Sequence, residues 1–217
     1  MIYAFATIAI AIIFENTLRL RWSSRAWRAR IVETVFALGI GFSALTALAL
    51  HGYFNLSVED GVSAFGRTTL FVAIGFFAYH LHRVIFVPGF TKSLIAHHLG
   101  MILCIAAAIY AEKAYFYLLI ASIPITSAAV RNFRWFWKMS RRPQWQNGAV
   151  TAAIAYLAFE SIPPIWGVIH FFSVGIYQMD LPTFMWVSLV APGLILSAMT
   201  FYWSALFVRK TLQSAAL

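Results

Sequence analysis

The chain has 217 residues, of which 62% are hydrophobic and 11% charged, and it carries a formal net charge of +9. A soluble domain holds roughly twice that charged fraction, and one domain of this length cannot bury so much apolar surface in a core, so lipid must cover much of it. The single cysteine, Cys104, excludes an intrachain disulfide framework and a cysteine-based metal centre.

Apolar runs long enough to cross a bilayer, about 20 residues each, occupy roughly 1–20, 31–54, 64–87, 93–111, 114–137, 148–172 and 182–208. The expected fold is an all-α integral membrane protein of about seven transmembrane helices. In the first run the basic residues follow the apolar stretch instead of preceding it, which reads as a retained span and not a signal peptide. Breaks fall at 22–30, 55–63, 88–92, 112–113, 138–147 and 173–180.

Lysine and arginine alternate along this ladder. Arg19, Arg21, Arg25, Arg28 and Arg30 crowd the first break, Arg83 and Lys92 flank the third, and Arg131, Arg134, Lys138, Arg141 and Arg142 surround the fifth. Arg209 and Lys210 follow the last span, so all but Arg67 and Lys113 of the 16 basic residues fall on one side. The positive-inside rule makes that side cytoplasmic, with the N-terminus opposite and the C-terminus in the cytoplasm. Anionic headgroups and topology account for the basic patches, and no nucleic-acid partner is needed. Trp22, Trp27, Trp135, Trp137 and Trp145 sit where an interfacial aromatic belt belongs.

Ionisable residues within spans are expensive and are functional candidates by default. Glu15 and Glu33 lie within about a turn of the first arginine cluster, and local pairing with Arg19 or Arg30 is expected. His51 and His170 fall near outer ends, within reach of interfacial water. His80 and His82 end the third span while His97 and His98 begin the fourth, joined by a short link at 88–91. All four imidazoles then lie roughly 5–10 Å below the cytoplasmic boundary on neighbouring helices. Consecutive side chains point about 100° apart, so one member of each pair faces the bundle and the other packs.

Glu160 lies near mid-depth in the sixth span, followed by Pro163 and Pro164. With Pro124 and Pro192 in the fifth and seventh spans, three kinked helices predict a cavity around one carboxylate. Six histidines, two of them near the opposite face, are too few for a membrane di-iron hydroxylase. A mononuclear metal on His80, His98 and Glu160 suits the donor set but not the difference in depth. Lys210 lies beyond the last span, which excludes a retinal Schiff base, and Pro143-Gln144 sits in a basic loop and not in a span, a weak signal for a PQ-loop carrier. An imidazole near the cytoplasmic surface fits general-base or nucleophilic acyl transfer, with Arg83, Lys92, Arg131 and Arg134 available to a donor's phosphates.

The segments Gly75-Phe76-Phe77-Ala78-Tyr79-His80-Leu81, Ile95-Ala96-His97-His98-Leu99, Ser127 and Asn132-Phe133-Arg134-Trp135 resemble the TLC-domain family, as does Thr200-Phe201-Tyr202-Trp203-Ser204 before a basic tail. The likeness covers roughly 30–210. It implies six helices, the second to the seventh, forming a barrel around a lipid cavity with His97 and His98 inside. Residues 1–30 would supply a first helix and basic loop, 31–210 the TLC-like domain, and 211–217 a cytoplasmic tail. In ceramide synthases a histidine of this pair is implicated in acyl transfer from acyl-CoA to a sphingoid base, so the resemblance implies sphingolipid-like chemistry. His80 stands where the family has an aspartate, Ile123-Pro124-Ile125-Thr126 lacks a glutamate expected before Ser127, and the acidic stretch of ceramide synthases is absent.

The expectation is a lipid-modifying acyltransferase of the membrane, with bacterial inner membrane favoured over endoplasmic reticulum. His97, His98 and His80 are the catalytic candidates; Glu160, Arg83, Tyr79, His82, Asn132 and Arg134 are the substrate-binding ones. Membrane lipids and an acyl-CoA-type donor are the expected partners, with no metal or resident cofactor. A non-enzymatic lipid-binding, sensing or transport protein of the same fold is the alternative.

Overall fold

Seven helices cross the membrane in the computed structural model, which describes residues 1–50, 63–86, 92–140 and 145–215. They are α1 Ile2–Leu20, α2 Arg25–Leu50, α3 Ala64–Ile85, α4 Lys92–Ala111, α5 Tyr115–Met139, α6 Gly148–Gln178 and α7 Thr183–Gln213. No strand occurs among the described residues. The expectations about His51, the 88–91 link, Arg141, Arg142 and Pro143-Gln144 lie outside them, as do most of the 55–63 break and the side chain of Trp145.

Hydroxyl side chains in the spans close onto their own helices: Thr7 donates to the carbonyl of Tyr3, Ser122 to Leu118 and Ser197 to Gly193. Such back-bonding satisfies a polar group where lipid offers no partner.

Two expected breaks are shorter in the structure. α2 begins at Arg25, because arginine is a good helix former and charge alone does not end a helix. Arg28 then donates to the carbonyls of Trp22 and Ser23 at 2.7 and 2.6 Å, pinning the incoming turn. α6 runs on to Gln178; the residues of 173–178 are polar enough to break an apolar run but not a helix.

α1 stands outside the other six and packs on α3. A Cβ on Gly75 would collide with the carbonyl of Ala4 and the side chain of Thr7, so glycine lets the two backbones touch. Gly41 does the same for α2 and α5, where a Cβ would strike the side chain of Thr126. Helices α2 to α7 close around a shared interior whose core includes Ile40, Leu70, Ile105, Leu119 and Met185. At the α4–α5 turn Glu112 and Ala114 adopt positive φ, 53° and 62°.

The prolines fall where the helices deform. Pro124 lies in a tight turn at Ile123–Ile125 within α5. Pro163 and Pro164 restart α6 after Ser161. Wide turns of the π type, Phe171–Gly175 in α6 and Trp186–Val190 in α7, add an extra residue per turn and are frequent at functional sites.

Candidate functional site

The six helices enclose a cavity of about 700 Å³, within the range of small-molecule sites. No residue of α1 lines it. Its wall on α5 runs from Tyr117 to Asn132, about 23 Å of helix and most of the hydrocarbon thickness of a bilayer. The far half is apolar, with Tyr117, Leu118, Phe171, Met179 and Leu189 among its lining. The polar groups gather at the end where the arginines lie: Arg25, Arg30, Glu33, His80, Arg83, His98 and Arg131.

His80 and His98 are brought face to face, with ring centroids 5.4 Å apart and planes within 3° of parallel. The short connection from α3 to α4 and the equal depth of the two residues make this possible. His98 is buried, and its Nδ1 lies 2.7 Å from the carbonyl of Leu94. A carbonyl only accepts, so Nδ1 carries the proton and donates, leaving the lone pair on Nε2. His80 Nε2 is 4.0 Å from Glu33 Oε1. His97 sits against the edge of Trp203, centroids 5.1 Å apart, and also lines the cavity.

Glu33 is the carboxylate at the centre of the polar end. It pairs with Arg131 at 3.3 Å and accepts from Asn132 Nδ2 at 3.0 Å. Asn132, 1% exposed, also accepts from Arg30 Nη1 at 2.8 Å and donates toward the Arg30 carbonyl and Thr34 Oγ1. It ties α2 to α5 and holds Glu33 toward His80. The Arg30 guanidinium covers the ring of Trp135 at 4.6 Å.

The local pairings expected for the glutamates are therefore corrected. Glu15 accepts from Tyr79 Oη at 2.5 Å and lies 3.9 Å from Arg83 Nε, both on α3. Glu33 takes Arg131 on α5, not Arg30. In each case the carboxylate reaches across a helix interface, and Arg30 bonds the same Asn132 amide that donates to Glu33. His170 needs correction too. With α6 extended to Gln178 it is buried, and its Nδ1 bonds Tyr117 Oη at 2.9 Å among Phe116 and Trp166.

Of the nine residues singled out from sequence, His80, His97, His98, Glu160, Arg83 and Asn132 line the cavity. Glu160 is buried below the histidines and accepts a hydrogen bond from Ser127 Oγ, another cavity residue. The other three sit elsewhere. Tyr79 is buried between α1 and α3, beside Ala11 and Val32. His82 is exposed, and the Arg134 guanidinium lies over the ring of Phe207 on α7 at 5.4 Å. Glu33 and Arg131 are the important additions. The Glu33 carboxylate was visible in the sequence but was assigned to local pairing, and Arg131 was assigned to a donor's phosphates, so the pair they form was not anticipated. Among the described residues no cluster of His, Cys, Asp or Glu has the arrangement to hold a metal ion.

No protein-family model, curated protein or solved structure matches the chain, so the TLC-domain resemblance rests on the residues quoted for it.

Proposed function

We propose that this membrane protein is a lipid acyltransferase that uses His98 as its base. The observation that carries the reading is the stacked His80–His98 pair, with Glu33 beside it, at the polar end of a long apolar cavity. The neutral imidazole of His98 presents its Nε2 lone pair to an amine or hydroxyl of the acceptor lipid. As that nitrogen or oxygen attacks the thioester carbonyl of an acyl-CoA-type donor, its proton passes to Nε2. The C–S bond then breaks and the departing thiolate recovers the proton from the imidazolium, which leaves His98 neutral. His80, backed by Glu33, stabilises the transient positive charge on its stacked neighbour. Arg83 and Arg131 suit the donor's phosphates, and the Glu160–Ser127 pair suits the acceptor's polar group. The charge alternation supports a cytoplasmic location for this polar end, where a soluble donor would arrive.

Turnover of a labelled acyl-CoA with long-chain amines and alcohols, followed by mass spectrometry in proteoliposomes, tests the reading. His98→Ala should lower product formation by about 10²-fold or more. Full turnover in His98→Ala would sink it. A tightly retained, unmodified lipid with no product from any donor would favour the non-enzymatic lipid-binding alternative.

A further inference from the structure

α6 packs on α5 along both halves, but its contact with α7 is concentrated in the first half. There Tyr156 stacks on Phe207 with ring centroids 4.0 Å apart, and Ser161 Oγ donates to Ser204 Oγ at 2.9 Å. Immediately beyond Ser161, Pro163 and Pro164 turn the helix, and its second half follows α5, where Tyr117 meets His170. The first part of α7 instead follows α4; Cys104 Sγ lies 3.9 Å from the carbonyl of Leu189, and Tyr110 packs edge-on to Phe184. Both divergent segments contain the wide turns. At the far end the gap is closed again by Phe171 and Trp186, with centroids 6.0 Å apart.

Between those two closures the cavity wall is thin. Pro164 and Val168 line one side, and Val190, Gly193 and Leu194 the other. Leu194 lines the cavity and is 37% exposed, and a Cβ on Gly193 would meet nothing within 4 Å, so no side chain plugs the wall there. The rim continues into the lipid-facing surface through Ile165, Ile169 and Ile195, each 40% exposed or more.

We propose that the α6–α7 seam is a lateral portal through which a single acyl chain of a bilayer lipid passes from the membrane into the cavity. The occupant follows from continuity: the seam adjoins the exposed isoleucines of two apolar spans and is itself apolar on both sides, which suits a hydrocarbon chain. The polar mouth at Arg25 and Arg83 is thereby left to the other substrate. This inference rests on the reading of the cavity as a lipid site but not on acyl transfer.

The test uses the full chain in phosphatidylcholine vesicles doped with a phosphatidylcholine that carries a diazirine at the end of one acyl chain. After irradiation, adducts are mapped by mass spectrometry. Labelling is expected on the interior residues Met101 and Leu189 as well as on the outward-facing Ile154 and Ile169. Gly193→Trp, which fills the open seam, should slow interior labelling at least tenfold and leave Ile154 labelling unchanged. Ala26→Trp, at the exposed rim of the polar mouth, should leave both unchanged. The proposal is overturned if wild type shows no interior adducts, if Ala26→Trp is the variant that blocks them, or if the two variants behave alike. Interior labelling through the seam with no acyl-transfer product would separate the two conclusions, retaining the portal and discarding the transferase.

Discussion

Replacing Asn132 by alanine should destabilise the protein more than any other single change at the polar end. Its side chain makes four close polar contacts in a site 1% exposed. Arg30 Nη1 loses its acceptor at 2.8 Å and keeps only the ring of Trp135 beneath its guanidinium. Glu33 Oε2 loses a donor at 3.0 Å, although Oε1 keeps Arg131. Thr34 Oγ1 loses a donor but still donates to the Arg30 carbonyl. The amide nitrogen has two protons for three acceptors, so the contacts do not add fully. A buried group deprived of its partner costs about 1–3 kcal/mol, with charged groups at the upper end. Two charged groups are affected here, but Arg30 is only partly buried and Glu33 keeps Arg131, which gives about 2–3 kcal/mol for Asn132→Ala. Equilibrium unfolding in mixed micelles, titrated with a denaturing detergent, measures the difference. Thr34→Val, which loses the shared bond from Asn132 and the bond to the Arg30 carbonyl, should cost about 1–2 kcal/mol by the same assay. Arg134→Ala, which removes the guanidinium from the ring of Phe207, should cost less than Asn132→Ala in the same titration. If Asn132→Ala proves no more costly than Thr34→Val, the clamp between α2 and α5 is not a stabilising element. A substrate-binding role alone would show the opposite pattern, unchanged stability with weakened ligand binding.

Other outcomes follow from the same geometry. Gly41→Val drives a side chain into Thr126 and should cost about 1–3 kcal/mol by overpacking, read by the same unfolding titration. Tyr79→Phe removes the bond to Glu15 but leaves the Glu15–Arg83 ion pair, so a loss of about 1 kcal/mol is expected; no change would mean that the hydroxyl is idle. Glu160→Gln keeps an acceptor for Ser127 and should leave folding intact while weakening binding of an amine acceptor by about tenfold, equivalent to roughly 1.4 kcal/mol, measured as a rise in its KM. An unchanged KM would remove Glu160 from the acceptor site.

The number of spans and the sidedness of the basic residues are one-dimensional properties, which is why both could be read from the chain directly. A helix needs a certain apolar length to cross a bilayer, and lysine and arginine mark alternate breaks whatever the packing. The level of His80, His97 and His98 was legible for the same reason, since depth follows from distance along a helix. Pro124, Pro163 and Pro164 also announced themselves, because a missing N–H must deform its helix wherever it packs.

Partner choice was of another kind. Glu15 lies near Arg19 in sequence yet pairs with Arg83, and Glu33 lies near Arg30 yet pairs with Arg131. Which side chains meet depends on the rotation of each helix about its axis and on which neighbour it crosses, and local sequence records neither. Gly75 and Gly41 show how that is decided: a missing Cβ lets α1 approach α3 and α2 approach α5, which carries Glu15 to Tyr79 and Glu33 to Asn132. The same rotation turns His98 inward against His80, leaves His82 exposed, and sends Arg134 to Phe207 instead of the cavity. The sequence by itself determined how many helices are long and apolar enough to cross a membrane and that His80 and His98 share one level. Only the packed helices decided which of those histidines touch each other, which carboxylate stands beside them, and where the cavity wall parts toward lipid.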